Sequence, residues 1–354
     1  MVLCLLMLCA SAQAATVTET GTGITVISAE SWAQTYPDVY ASYLKNAEND
    51  TAMDHVQEYP MIATVYEGMA FNKYYNSARG HYYTVEDVTS TGRPHKLANC
   101  FTCKTPDFTA KVNNEGVGVY AIPFEDMLAE VNESISCYNC HANTGSELVV
   151  THTYLADAMG EDFAALNAKT ASCAQCHVEY YFDPETKAVT LPYGSKAAMH
   201  PDAILAYYDE MGFADYTNPR TGVAQIKVQH PEFETYMGAG SVHAAIFSCA
   251  DCHMEKAVND AGESYVSHTW MSPLASESIT ATCSACHADL KGFVEGIQAH
   301  AEERTIAIGQ QAKLKDPTKG YNGLLEHRME KALPLCWKHK VKLITNMGSA
   351  NPQA

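Results

Sequence analysis

Four times the chain carries Cys-x-x-Cys-His, at Cys137/Cys140/His141, Cys173/Cys176/His177, Cys249/Cys252/His253 and Cys283/Cys286/His287. Ahead of these it carries the same spacing with lysine in the last place, Cys100-Phe101-Thr102-Cys103-Lys104. Two thiols at this spacing form thioethers to a porphyrin, and the imidazole that follows ligates its iron. Five such sites make a pentahaem cytochrome c. Zinc ribbons use Cys-x-x-Cys units two at a time, so five pairs leave one over, and zinc chemistry gives no reason for histidine directly after four of them. Close pairs of this kind are also redox or ligand motifs more often than disulfide staples.

Lys104 is the exception that points to chemistry. A lysine amine coordinates a metal only after losing its proton, which burial and the metal itself must favour. Such a ligand on one iron of five suggests that the opposite face of that iron is reserved for substrate. The plain alternative is a degenerate motif with a bystander lysine beside four intact copies. A low-spin electron-carrying haem needs a second axial ligand, and 15 histidines leave eleven outside the motifs for four histidine-bearing sites. Composition therefore permits paired histidine ligation without identifying the partners.

The elements that must position these groups give weaker signals. Five porphyrins occupy interior that side chains would otherwise fill, so the expected fold is mainly α, a multihaem cytochrome c with many loops packed around five covalently attached haems. Leu290, Phe293, Val294 and Ile297 fall at i, i+3, i+4 and i+7 and begin an amphipathic helix after the last motif. A shorter helix is expected over Pro201–Met211, with proline in its first turn, and a short strand within 187–192. The first cysteines of successive motifs lie 37, 36, 76 and 34 residues apart, too irregular for a solenoid.

The apolar run over residues 2–10, followed by Ala12-Gln13-Ala14, reads as an export signal spanning 1–14, which would remove Cys4 and Cys9. No other stretch is apolar and long enough to span a bilayer. Export and covalent haem assembly agree on a periplasmic or otherwise extracytoplasmic location. The net charge of −18 argues against nucleic acid and favours a basic or membrane-side redox partner. The expected organisation is one pentahaem catalytic domain over 15–310 and a divergent or truncated tail over 311–354, which contains Cys336.

The lysine motif standing first, the four histidine motifs after it, the run Cys176-His177-Val178-Glu179-Tyr180-Tyr181-Phe182, the run Lys227-Val228-Gln229-His230-Pro231-Glu232, and Tyr75-Asn76 with Arg79-Gly80-His81 all stand in one order. In these features the chain resembles the pentahaem ammonia-forming cytochrome c nitrite reductases, from about residue 36 to about residue 310. The resemblance implies a six-electron reduction of nitrite to ammonium at the Lys104-ligated haem. It implies that Tyr180 and His230 supply hydrogen bonds and protons to the bound anion, and that Arg93 is the cationic anion-binding group, although the family's arginine more usually precedes the Thr-Gly pair.

It further implies distal ligands His268, His81 and His243 for the second, third and fifth haems. It implies one calcium ion held by Glu179, Gln229 and the backbone carbonyls of Tyr180 and Lys227, oxygen donors suited to a hard cation. Electrons would come from a membrane-bound quinol-oxidising cytochrome or a soluble multihaem carrier, and nitrite and small anions are the implied small partners. The family's homodimer contact lies in a C-terminal helical region from which this chain departs, so the fourth haem's distal ligand and the dimer are not carried over. Two other functions stay open: a pure electron-transfer cytochrome, and a sulfite or hydroxylamine reductase on the same scaffold.

Overall fold

The computed structural model describes residues 13–54, 57, 74, 76–92, 94, 96–217 and 224–298. Residues 1–12 of the expected export signal, Arg93, and the tail beyond 298 lie outside them. Short helices dominate: α1 (Pro37–Leu44), α2 (Thr84–Thr89), α3 (Pro106–Glu115), α4 (Phe124–Leu128), α5 (Cys137–His141), α6 (Tyr154–Met159), α7 (Ala168–Ala174), α8 (Pro201–Met211), α9 (Glu232–Met237), α10 (Cys249–His253), α11 (Glu277–Cys283) and α12 (Leu290–Gln298). Three two-stranded antiparallel ribbons and a set of short 3-10 turns complete the described elements, the ribbons being β1 (Tyr181–Phe182) with β2 (Val189–Thr190), β3 (Tyr216–Thr217) with β4 (Ala224–Gln225), and β5 (Lys256–Val258) with β6 (Ser264–Val266). The helix expected over Pro201–Met211 is α8, and the strand expected within 187–192 is β2.

The chain divides into two compact units, the first made of residues 1–43, 97–200 and 229–268 and the second of 44–96, 201–228 and 269–354. In the first, α3 begins with Thr105 as N-cap, whose Oγ1 accepts from the Asp107 N–H (3.2 Å), and with Pro106 in the first turn. It ends at Gly116, where a φ of +86° suits glycine. Phe101 stacks on Phe124 at 4.5 Å, and Phe108 meets Tyr120 edge to face at 5.2 Å. Phe101 and Phe108 are fully buried, and each contributes about 2–3 kcal/mol by burial.

The motif helices owe their shape to the residues around and between the cysteines. Ser248 and Asp251 form a capping box at α10: the Asp251 Oδ2 accepts from the Ser248 N–H (2.8 Å), and the Ser248 Oγ accepts from the Asp251 N–H (3.4 Å). At α5 the Ser136 N–H donates to Asn139 Oδ1 (3.0 Å). In the third and fifth motifs the histidine N–H donates to the carbonyl of the first cysteine, His177 to Cys173 and His287 to Cys283, each at 2.9 Å. One helical turn thus presents both thiols and the imidazole together.

Gln175, inside the third motif, joins that motif to the second. Its Oε1 accepts from the Thr151 and His152 N–H groups (2.8 and 3.0 Å) and the Thr151 hydroxyl (3.2 Å). Its Nε2 donates to the Asn139 and Ser172 carbonyls (2.8 and 2.9 Å). The side chain is 1% exposed, so these bonds stand in low dielectric where an unmade one is costly.

In the second unit Arg79 is the anchor. Its Nε donates to Asp87 Oδ1 (2.8 Å), Nη2 to Glu86 Oε1 (2.8 Å) and Nη1 to the Asp50 carbonyl (3.0 Å), with Tyr83 against the guanidinium at 4.1 Å. Gly80 follows at φ +96°, and His81 packs edge to face on Trp270 at 4.6 Å. In α12, Phe293 of the expected apolar face is 55% exposed and lies on His287, rings 5.6 Å apart. That helix therefore turns toward the fifth motif rather than into a side-chain core.

Replacing Gln175 with leucine keeps the volume but strands the buried Thr151 and His152 N–H groups. It should lower stability by about 3 kcal/mol and the melting temperature of the haem-loaded protein by roughly 5–10 °C. A calorimetric scan showing a wild-type midpoint would refute the linking role of this side chain.

Candidate haem-bearing active site

The lysine motif is built unlike the other four. It follows a 3-10 turn at Ala98–Phe101, and the Lys104 N–H donates to the Phe101 carbonyl three residues back (3.0 Å) instead of to the first cysteine. Cys103 holds a left-handed φ of +59°, a conformation that costs a non-glycine residue energy and tends to mark functional positions. The longer lysine side chain thus leaves the backbone along a different path from the motif histidines.

Around this motif the first unit assembles its neighbours. Cys103 Sγ, Cys176 Sγ and a ring nitrogen of His152 lie within 4.8 Å of one another, which sets the second thiols of the first and third motifs side by side. The Tyr154 hydroxyl lies 3.3 Å from Cys103 Sγ and donates to the Gln175 carbonyl. Helix α7 packs against both α5 and α10. The third motif therefore adjoins the first, second and fourth.

His141 and His268 come together with ring centroids 6.3 Å apart. The Nδ1 of each stands against a backbone carbonyl, His141 on Glu147 (2.8 Å) and His268 on Val266 (2.9 Å). Nδ1–H donates in both, leaving the Nε2 lone pair for a metal. Burial lowers both pKa values, against the effect of those carbonyls, which favours the neutral ligand form. An iron bonded to both rings at roughly 2 Å per bond would hold the centroids roughly 6 Å apart, so the pair fits that group.

His177 and His230 also meet, edge to face with centroids 5.8 Å apart. Three residues beyond His177, half-buried Tyr180 packs edge to face on Phe182 at 5.5 Å. Glu179 is 2% exposed, and its Oε2 accepts from the Gln229 N–H (2.6 Å). The Glu179 N–H donates to Glu234 Oε1 (3.0 Å), which also accepts from the Tyr193 hydroxyl (2.6 Å). Glu234 Oε2 is buried with no hydrogen-bond partner, and burial raises that carboxyl's pKa. The buried Glu179 carboxylate and the unsatisfied Glu234 Oε2 are oxygen donors of the type a hard divalent cation takes.

Lys227 lies in the second unit, where its N–H donates to Asp215 Oδ2 (2.6 Å). Also there are His81 on Trp270, and Thr91 and Gly92, which both bond the Tyr74 carbonyl just before Arg93. His243, in the first unit, packs between Tyr236 and Phe247 at 6.2 and 6.5 Å. His253 ends α10, and Cys252 lies within it; Cys286 is exposed beside Cys283 in the second unit.

The cytochrome c552 family matches residues 28–320. The chain belongs to that family. It is also similar to a solved structure, the cytochrome c nitrite reductase of Desulfovibrio desulfuricans, the catalytic subunit NrfA, described for the relevance of its two calcium sites. Sequence identity is 27%, with 81% of this chain and 69% of that one covered and a TM-score of 0.64. A second family, the acyclic terpene utilisation protein AtuA, matches residues 298–354. Membership of a cytochrome c family accounts for the repeated thiol pairs as haem c attachment sites.

Gln175, His152, Glu232 and Glu234 went unmarked in the sequence. The two residues between paired cysteines carry no code for haem binding, and only the fold shows that Asn139, Gln175 and Asp251 shape their motifs. Glu232 and Glu234 stood in or next to a recognised run, yet their carboxylates acquire partners only when α9 docks on His177. Among the described residues, no helix is long and apolar enough to cross a membrane.

Two outcomes follow from the histidines. His268→Ala should convert one low-spin haem to a high-spin form, visible in the electron paramagnetic resonance spectrum, with haem content unchanged; an unaltered spectrum would exclude this pairing. Burial, the cause acting on His152, lowers its pKa to about 4. The unfolded chain, titrating near 6.5, then binds more protons than the fold between about pH 6.5 and 4. Stability should fall through that window as pH drops, by roughly 3 kcal/mol in all, and denaturant midpoints should lose that slope in His152→Gln.

Proposed function

We propose that the chain is an ammonia-forming nitrite reductase, adding six electrons and eight protons to nitrite to release ammonium and two waters at a haem c ligated by Lys104. The observation that carries this reading is the contiguity of the lysine motif with the proton-bearing groups. Cys103 adjoins Cys176, His177 follows Cys176, and His230 lies against His177. Tyr180 belongs to the same stretch. A site made only for passing electrons would have no use for a lysine ligand beside a tyrosine and a second histidine.

Bound haem iron supplies a Lewis acid for the anion and a conduit for electrons. The protein supplies the rest. Lys104, with its amine deprotonated, would hold the iron of the first haem without a motif histidine. His230 and Tyr180 hydrogen-bond the anion and deliver protons to its oxygens and nitrogen. Arg93 completes the anion site, since a guanidinium matches a carboxylate-like oxyanion and stabilises negative charge. Because the net charge is −18, a local cationic pocket would focus small anions against an otherwise repelling surface.

The five thiol pairs would hold five haem c groups, with His81, His243 and His268 as second ligands to the third, fifth and second. His253 and His287 would hold the fourth and fifth irons from their motifs. The third motif is suited to be the relay, because it adjoins the first, second and fourth attachment sites. Glu179 would hold one calcium ion with Gln229 and the Tyr180 and Lys227 carbonyls, bracing the segment that carries His230. The electron donor would be a quinol-oxidising membrane cytochrome or a soluble multihaem carrier outside the cytoplasm.

Purified haem-loaded protein given a reduced viologen and nitrite should form stoichiometric ammonium, and Lys104→His should lower that rate by at least tenfold. A wild type that oxidises the viologen only with sulfite or hydroxylamine would reassign the substrate. One that reduces none of the three would leave an electron carrier.

A further inference from the structure

Glu232 stands between two imidazoles, and each of its oxygens faces a different one. Oε2 lies 4.0 Å from His177 Nδ1, and Oε1 lies 3.9 Å from His230 Nδ1. The two rings meet edge to face at 78°, so a single carboxylate reaches both without choosing. Its placement is enforced by backbone. Glu232 opens α9, the Phe233 N–H donates to the His177 carbonyl (3.1 Å), and the Thr235 N–H donates to the Pro231 carbonyl (2.9 Å). Phe233, 2% exposed, fastens the helix to the interior.

We propose that Glu232 is a positioning residue shared by the third haem's iron ligand and the substrate-facing histidine, fixing both rings with Nδ1–H toward its carboxylate. The proposal rests on the nitrite reductase reading of His177 and His230. Placing the N–H of neutral His177 at Nδ1 leaves its Nε2 lone pair for iron, whereas in His230 the same Nδ1–H contact with the carboxylate supports a second proton at Nε2, the one given to substrate. An anionic acceptor on Nδ1–H also makes Nε2 a stronger donor to a metal.

The contrast with the second haem site is specific. His141 and His268 place Nδ1 against neutral backbone carbonyls, whereas His177 faces a charged carboxylate. The third iron is thereby made harder to reduce than its ligand type alone would give, and the same charge that sets it also orients the proton donor. Electron arrival and proton delivery share one side chain.

The test uses the haem-loaded protein with Glu232→Gln and Glu232→Asp. Glu232 is half exposed, with its side chain 50% accessible, so neither change should impair folding, and haem content checks this. Two readouts need no turnover: the midpoint potentials of the low-spin haems, followed by spectroelectrochemistry, and the dissociation constant for cyanide at the high-spin haem.

In Glu232→Gln one low-spin potential should rise and cyanide should bind roughly tenfold more weakly, with Glu232→Asp recovering both in part. If either quantity stays at its wild-type value in the fully loaded Gln variant, the shared role is overturned. Failure of the wild type to form ammonium would sink the nitrite reading instead, while these two differences would still decide the role of Glu232.

Discussion

A buried glutamine with five hydrogen bonds sits where the second and third cysteine motifs meet, and the arrangement of the first unit depends on it. Covalent haem attachment requires two thiols and one imidazole on a single turn. Several attachment sites in one small unit require in addition that those turns hold fixed positions relative to each other, because side-chain packing between them is interrupted by porphyrin. Hydrogen bonds across the short helices do this work. Gln175 joins α5 to the third motif, Asn113 adds a bond to the Thr151 carbonyl (2.9 Å), and the capping boxes at Ser136 and Ser248 set where two of the turns begin.

The lysine motif shows what happens when that turn is altered. Its backbone leaves the helical path at Cys103, and a 3-10 closure replaces the hydrogen bond from the fifth residue to the first cysteine. A left-handed cysteine is maintained only if its surroundings hold it. Here Tyr154 and Cys176 crowd its sulfur, and the buried core of Phe101, Phe108 and Phe124 braces the turn from behind. The strained residue stands next to Lys104, the one position that departs from the other four motifs.

Electrostatics in the first unit follows from what haem and ions would replace. His141, His152 and His268 are all driven toward their neutral forms by burial, the state in which imidazole binds iron or packs without a counter-charge. Glu179 and Glu234, by contrast, are acids gathered out of water with one oxygen unsatisfied. Such oxygens suit a cation, and they lie two residues after His177 and four after His230, the two rings that meet edge to face.

The motifs alone determined the attachment chemistry, the number of sites and the exceptional status of Lys104, because thiol spacing is a local property that no tertiary contact can change. The mainly helical character and α8 were legible for the same reason: proline in a first turn and an apolar face at helical spacing act within one turn of chain. Only the tertiary structure decided which histidine meets which. His268 lies 127 residues from His141; composition and spacing do not distinguish it among eleven candidate imidazoles, the family resemblance names it only by analogy, and the contact itself exists only once β5 and β6 bring its ring against the second motif's. The roles of Gln175 and Glu232 were hidden for a related reason. A glutamine or a glutamate is chemically ordinary in sequence, and it acquires meaning only when folding removes water from around it and leaves specific groups as its partners.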